Sequence, residues 1–442
     1  MSQPIEAFKN AFKIPELKSR IIFTLLMLAI YRLGCHVPMP GVDGAALAKT
    51  LGEAGGLLGF YDMFTGGAFA NATVFALGIM PYITASIIMS LLVPVIPSLE
   101  ALQKSGQEGQ RKITEYTRYG TILLCIVQGF MIALYMESLG ADIVPDQGWG
   151  FRLMAIMTLT TGTAFIMWQG EQISEYGVGN GMSLIIFISI VSRMPSAVFN
   201  LFRMLGNDQM SIFQALILVF LLVAVVAGAI VVTTGQRRIP VQYPRQIRGR
   251  GVVGGQRTYL PLRVNQAGVI PIIFASSILM LPGSLAQSVS VPWLEAFLTT
   301  LFDWSGIPYN LMYAGLIIFF SFFYTAITFN PVEMADNMKK YGGVIVGVRP
   351  GKATADYLNR VMTRVTLAGS LFLALVALLP PIVYRFLDVP DPTIVQFFGG
   401  TSLLILVGVA LDTIRQIEQH LIMRHYDGFG SRGRRIRARR GY

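Results

Sequence analysis

Charge is scarce in this chain. Lys, Arg, Asp and Glu make up only 13% of its 442 residues, where soluble globular proteins carry about a quarter. With 53% hydrophobic residues and a mean hydropathy of +0.58, that shortage excludes an ordinary water-facing surface. A soluble chain of this length would split into domains, whereas one membrane bundle can absorb nearly all of it. Cysteine is almost absent. Cys35 and Cys125 both fall in apolar runs, which excludes a disulfide framework and assigns them to buried packing. The only histidines are His36, His420 and His425. With no H-E-x-x-H, P-loop or Ser-His-Asp spacing, neither a metal centre nor a hydrolytic triad is expected. Charges are also missing from the middle of the apolar runs: Arg32, Glu171, Arg364, Asp412 and Arg415 all lie near run ends, where snorkelling is cheap. This disfavours a proton or sodium relay, although carbonyls at broken helices bind ions without carboxylates.

What is abundant is apolar sequence in long runs. A bilayer core needs about 20 such residues per helix. Ten candidate spans lie at residues 21–37, 72–93, 117–136, 152–170, 181–198, 211–234, 266–286, 309–329, 361–381 and 397–417. The fifth is short and carries Arg193 near its end. Residues 57–70 are too few to span and read as a re-entrant helix. Lys9, Lys13, Lys18 and Arg20 precede the first run as in a signal peptide. However, the A-x-A site at Ala46, Leu47 and Ala48 lies beyond Pro38, Pro40 and Gly41, too far for ordinary cleavage, so the run is read as a retained span.

Basic residues sort the connections. Of 35 Lys and Arg, 27 fall in connections on the side that holds both termini and 4 in those on the other. The positive-inside rule then places both termini in the cytoplasm. Only the 171–180 connection does not help, having Glu171 and Glu175 and no base.

The chain also echoes itself. Residues 78–89 read GIMPYITASIIM and residues 268–279 read GVIPIIFASSIL. Gly78, Pro81, Ile83, Ala85, Ser86 and Ile88 match Gly268, Pro271, Ile273, Ala275, Ser276 and Ile278 at one offset of 190. These runs are the second and seventh spans. A repeat of five spans, an odd number, must be inverted in topology. In both runs the Gly and Pro loosen the helix near its first third, and Thr84, Ser86, Ser276 and Ser277 either satisfy freed backbone groups or line a wet groove. For any single serine, helix packing is the better reading.

Two connections are large and basic. Residues 235–263 hold seven Arg, no acid and Gly235, Gly249, Gly251, Gly254 and Gly255, the makings of a protruding hairpin-like loop. Residues 330–360 are similar in size, and the tail ends GSRGRRIRARRGY. Anionic lipid binding, worth about 1 kcal/mol per base, accounts for the tail. Length and glycine content favour docking of 235–263 onto RNA phosphate or an acidic protein surface.

Several long motifs resemble the SecY family, the pore subunit of the bacterial protein translocation channel. They are MFTGGAFANATVFALGIMPYITASIIM at 63–89, RKITEYTRYGT at 111–121, GEQISEYGVGNGMSLIIF at 170–187, GQRRIPVQY at 235–243, LPLRVNQAGVIPIIFASS at 260–277, FFYTAITFNPVEMADNMKK at 322–340, VRPGKATADYL at 348–358 and FFGGTSLLI at 397–405. The resemblance implies an all-α integral membrane fold of ten transmembrane helices in two inverted five-helix halves with a short re-entrant plug helix. Residues 1–20 would be a cytoplasmic N-terminal segment, 21–200 the first half with the plug at 57–70, 201–420 the second half with the basic loops, and 421–442 a basic cytoplasmic tail.

By motif position the resemblance also implies site residues. Ile79, Ile83, Ile186, Ile273 and Ile405 would form an apolar pore ring, which can dewet and block ions. Phe60, Met63, Phe64, Gly66 and Gly67 would belong to the plug, the two glycines letting it swing. Thr84, Ser90, Gln128, Asn265 and Ser276 would line a lateral gate, with Ser90 standing where some relatives carry Gln. Through that gate each Leu or Ile of a substrate segment gains about 0.3 to 0.6 kcal/mol on reaching lipid. Arg237, Arg238, Arg250 and Arg349 would dock a partner; Gly251 stands where the family has a second Arg beside Arg250. The implied function is passive, with no catalytic site and no cofactor: preproteins cross, and membrane proteins enter, the cytoplasmic (inner) membrane. Implied partners are SecE-like and SecG-like subunits, the SecA motor, the ribosome, signal peptides, nascent chains and anionic lipids. Rival readings are a secondary transporter with inverted repeats, which needs a midplane site, and a membrane scaffold without a pore.

Overall fold

The computed structural model describes residues 14–432, apart from 55, 244, 249–250, 255–256, 287–296, 298–299, 304–305 and 388–391. In chain order the elements are α1 (Pro15–Gly34), α2 (Gly44–Ala54), α3 (Gly56–Thr65), α4 (Met80–Leu92), α5 (Pro97–Lys104), α6 (Gln107–Ser138), α7 (Trp149–Tyr176), α8 (Gly181–Gly206) and α9 (Ile212–Thr234). The strands β1 (Gln236–Gln242), β2 (Arg245–Arg248), β3 (Gly251–Gly254) and β4 (Arg257–Arg263) follow. Then come α10 (Ile270–Ala286), α11 (Ile307–Thr328), α12 (Pro331–Lys340), β5 (Val344–Ile345), α13 (Lys352–Leu387), α14 (Pro392–Gly399) and α15 (Thr401–Arg432).

Local chemistry sets several of these ends. Pro15 and Pro97 open α1 and α5 in the first turn, where a missing N–H costs nothing. Ser211 and Gln214 form a reciprocal capping box at the start of α9. The Asn330 side chain accepts from the N–H groups of Val332 and Glu333 at 3.1 and 3.3 Å, ahead of α12.

Among the described residues, six helices are long and apolar enough to cross a membrane: α6, α7, α8, α9, the run Ile307–Lys340 and α13. A seventh appears if α4 and α5 count as one span, although they bend by 99° at their break. The helices α1, α10 and α15 stand where the first, seventh and tenth apolar runs lie. Several helices outrun their apolar stretches. α6 starts at Gln107, ten residues before the apolar run, because its polar first turns are good helix formers that need no lipid.

The second apolar run is not one helix. Residues 66–79 turn, and α4 begins only at Met80, where Gly78 has φ +57° and Pro81 sits in the first turn. The seventh run behaves alike, with Gly268 at φ +65° and α10 beginning at Ile270. The left-handed glycine and the helix start therefore repeat at the same offset of 190 as the sequence echo.

Two compact units divide the chain. The first holds Met1–Glu53, Tyr61–Arg193 and Val409–Tyr442; the second holds Ala54–Phe60 and Met194–Gly408. Small residues knit the first. A Cβ on Gly162 of α7 would come within 2.1 Å of the Val74 carbonyl, and one on Gly181 within 1.9 Å of the Gly170 carbonyl, so these backbones meet only because the side chains are absent. Arg118 of α6 grips Glu171 of α7 with two hydrogen bonds of 2.9 and 2.8 Å. This explains the acidic 171–180 connection: Glu171 is matched across helices rather than within its own loop.

The second unit carries a small module of soluble character. β1 pairs antiparallel with β4 over its full length and with β5 at Val241 and Gln242, and β2 pairs with β3. The 235–263 loop is thus a hairpin. Ile239 and Val241 alternate inward and join Leu262, Phe329, Met338, Ile345, Leu358, Val361 and Met362 in a buried cluster. Arg237 and Arg238 precede this buried stretch on β1, and both are exposed.

Candidate functional site

A buried polar cluster lies under the turn that follows α3, wholly within the first unit. The chain reverses at Gly66 and Gly67, with φ of +66° and +91°, a region that favours glycine. Asp62, one helical turn earlier, is buried. One carboxylate oxygen accepts from the Ala70 N–H at 2.8 Å, and the other pairs with the Arg193 guanidinium of α8. The Thr65 hydroxyl donates to the Asp62 carbonyl at 3.1 Å and accepts from the Phe69 N–H at 3.3 Å. These bonds close the turn on itself.

Neighbouring helices then hold it. Arg32, at the end of α1, donates from Nη1 to the Gly66 carbonyl at 2.9 Å. The buried Tyr31 hydroxyl donates to the Thr65 carbonyl at 3.5 Å and shares a 2.7 Å hydrogen bond with Ser189 of α8. Tyr31 also stacks on Phe75, with ring centroids 5.9 Å apart. The fit is close: a Cβ at Gly66 would meet Arg32 Nη1 at 2.9 Å and Ser189 Cα at 3.0 Å, and one at Gly67 would meet the Arg193 guanidinium at 3.4 Å. Stripping one partner from a buried ion pair costs about 3–5 kcal/mol. Arg193 is 35% exposed and Asp62 8%, so water screens part of this pair and the lower end applies.

Of the plug candidates, Met63 and Phe64 are buried, at 4% and 2% exposure, and Gly66 and Gly67 make the turn just described. Phe60 is helical, and its side chain lies outside what is described. The two glycines serve here as tight-turn and close-approach residues.

All five ring candidates are buried: Ile79, Ile83 and Ile186 in the first unit, Ile273 and Ile405 in the second. Ile79 caps α4 and Ile83 follows one turn later, its N–H donating to the Ile79 carbonyl at 3.1 Å. They share a face.

The gate candidates are mostly satisfied within their own segments. Thr84 donates to the Met80 carbonyl at 3.0 Å, Ser90 to the Ser86 carbonyl at 2.8 Å and Ser276 to the Ile273 carbonyl at 2.9 Å. Asn265 donates to the Gly268 carbonyl at 2.9 Å, bracing the turn before α10. Gln128 is half-buried on α6.

Arg237 and Arg238 project from β1, and Arg349 lies exposed on the turn before α13, its carbonyl accepting from the Thr354 hydroxyl at 2.9 Å. All three belong to the hairpin module or its edge. Arg250 lies outside the described residues.

Asp62, Tyr31 and Ser189 belong to none of the sites expected from sequence, and Arg32 and Arg193 were expected only as charges near span ends. A signal was present. Asp62 is the lone charge of α3, and Arg193 is one of only four bases assigned to the side opposite the termini.

The SecY family model matches residues 73–414. A protein translocase subunit SecY of Streptomyces coelicolor is 47% identical over 442 residues, covering 96% of this chain and 99% of its own. A protein translocase subunit SecY of Thermotoga maritima is 44% identical over 444 residues, covering 98% and 100%. Among solved structures, a protein-conducting channel superposes with a TM-score of 0.64 at 19% identity, covering 93% of this chain and 96% of its own. Sec61 from a canine ribosome-channel complex of the endoplasmic reticulum superposes with a TM-score of 0.61 at 17% identity, covering 93% and 96%. At those identities the structures speak for the fold.

Proposed function

This chain belongs to the SecY family, and on that premise we propose the working parts of the channel it forms. It is the central subunit of a protein-conducting channel that moves unfolded preproteins across a membrane and releases membrane segments sideways into lipid. The observation that carries this is the match of nearly the whole membrane body, residues 73–414, to the family.

Ten helices in two inverted halves surround the pore, with the boundaries 21–200 and 201–420. The repeated glycine turn and helix start at Gly78 and Gly268 support that repeat. Ile79, Ile83, Ile186, Ile273 and Ile405 form the apolar waist, and their shared burial and branched shape support this. Residues 57–70 are the plug, supported by a buried turn rather than a bilayer-crossing helix at that point. Thr84, Ser90, Gln128, Asn265 and Ser276 flank the lateral gate. Hydroxyls bonded to their own helices carry little polar cost when the gate parts.

The hairpin module, with Arg237, Arg238, Arg250 and Arg349, receives the machine that drives the substrate. That machine is either the ribosome or a SecA motor. A ribosome-bound relative of the same fold supports the former. SecE-like and SecG-like subunits and anionic lipids complete the assembly in the cytoplasmic (inner) membrane, with both termini cytoplasmic; the one-sided charge supports that orientation. Signal peptides act by binding the open state more tightly than the closed one. The channel does no chemistry of its own; energy comes from the docked partner.

The test is reconstitution. In proteoliposomes with the small membrane subunits and the motor, ATP should drive a preprotein into protease-protected space. Uptake of small solutes with no preprotein movement would sink this reading in favour of a transporter.

A further inference from the structure

We propose that Asp62, Arg193 and Arg32 form an electrostatic latch that holds the plug in its seat and sets how readily this channel opens. The inference rests on the plug reading of residues 57–70. Three observations carry it. First, Asp62 is buried and its two oxygens are divided between the turn itself and another helix: one closes the turn at Ala70, the other pairs with Arg193. Second, Arg32 on α1 binds the Gly66 carbonyl, so the turn is held from two helices distant in sequence. Third, the seat is cut to glycine at Gly66, so the turn cannot slide and keep these contacts.

Unseating the turn breaks a carboxylate–guanidinium pair and a charge-assisted hydrogen bond together. The seated state is therefore favoured by contacts that the unseated state loses as a set, as a two-state gate requires. Arg32, Asp62 and Arg193 are positioning residues: they act on the pore through the turn they hold.

The test uses the complete channel complex, purified with its membrane subunits and fused into planar bilayers, reading resting open probability without substrate or motor. Asp62→Asn and Arg193→Gln should each raise it roughly a hundredfold. The double variant should be no leakier than the worse single one, because one contact is lost in all three. Exchanging the charges, Asp62→Arg with Arg193→Asp, should recover only part of the closure, because the pair re-forms while the Ala70 N–H loses its acceptor. Elution as a monodisperse complex checks folding. If either single variant fails that check, the double variant, which strands no charge, carries the comparison with wild type.

Deletion of residues 57–67 is the discriminating arm. If the deletion leaks while the charge variants stay tight, the latch is wrong and the plug reading survives. If the deletion is as tight as wild type, the plug reading falls and the latch with it. Additive leaks with no rescue on charge exchange would also overturn the latch.

Discussion

Replacing Gly66 by Ala removes no charge, yet it should unseat the same turn. The backbone at Gly66 sits at φ +66°, where an L side chain costs roughly 1–2 kcal/mol. The new methyl would lie 2.9 Å from Arg32 Nη1 and 3.0 Å from Ser189 Cα. Ser189 Cα belongs to the backbone of α8 and cannot step aside. Arg32 can, but it is the donor to the Gly66 carbonyl, so its retreat weakens a charge-assisted bond worth about 1.5–3 kcal/mol. Allowing for partial relaxation, the seated state should lose about 2–4 kcal/mol. At about 1.4 kcal/mol per factor of ten, resting open probability should rise roughly 30- to several-hundredfold. Single-channel recording of the complex in planar bilayers reads this directly. Gly106→Ala is the control: Gly106 has φ +82°, and a Cβ added there would meet nothing within 4 Å, so it suffers backbone strain with no seat to disturb. Wild-type conductance in Gly66→Ala, or an equal rise in both variants, would refute the close-fit reasoning.

Other outcomes follow from the same geometry. Reversing the charge at Arg349, Arg349→Glu, should impair motor- or ribosome-driven export while the protein itself still inserts; unchanged export in membrane vesicles would remove it from the docking surface. Replacing both Ile83 and Ile273 by Gly should raise resting ion leak, because the buried branched side chains would no longer exclude water; unaltered conductance would take them out of the waist. A double-mutant cycle on Arg118 and Glu171 should give a coupling of about 1 kcal/mol, since the contact is bidentate but partly exposed. That coupling should shrink at molar salt, and a salt-independent value would contradict the assignment.

Hydropathy makes the membrane body legible, because a long apolar helix announces itself by composition alone. It is weakest where the backbone leaves the helix. The 72–93 run is apolar throughout, so nothing in its hydropathy separates the turns of 66–79 from the helix that starts at Met80. Only Gly78 and Pro81 hint at the break, and the same two residues fit a loosened span as well as a helix start. Helix ends beyond the apolar runs, as at Gln107, escape for the opposite reason: polar helix formers look like loop to a hydropathy window. The hairpin of 235–263 is legible from glycine and length. Its packing on α12 and α13 depends on partners almost a hundred residues away, Phe329, Met338 and Leu358 among them, and no local pattern links such positions.

The polar seat escapes the sequence because the rule that sorts the charges also hides them. Positive-inside counting treats each base as a vote and asks only which side wins. The bases on or nearest the losing side differ in kind, however. Lys49, Arg203 and Arg385 are exposed, whereas Arg32, Arg152 and Arg193 are half-buried. Each of these three has a partner for its charge: Arg152 pairs with Glu137, Arg193 with Asp62, and Arg32 binds the Gly66 carbonyl. In the proposed topology each guanidinium had to cross the bilayer during insertion against the prevailing bias. Simple orientation does not explain its presence, and a specific acceptor does. Two of the three acceptors lie in the one segment read as the plug. Exceptions to the charge rule are therefore worth following individually, and here they lead from a topology argument to the element proposed as the plug.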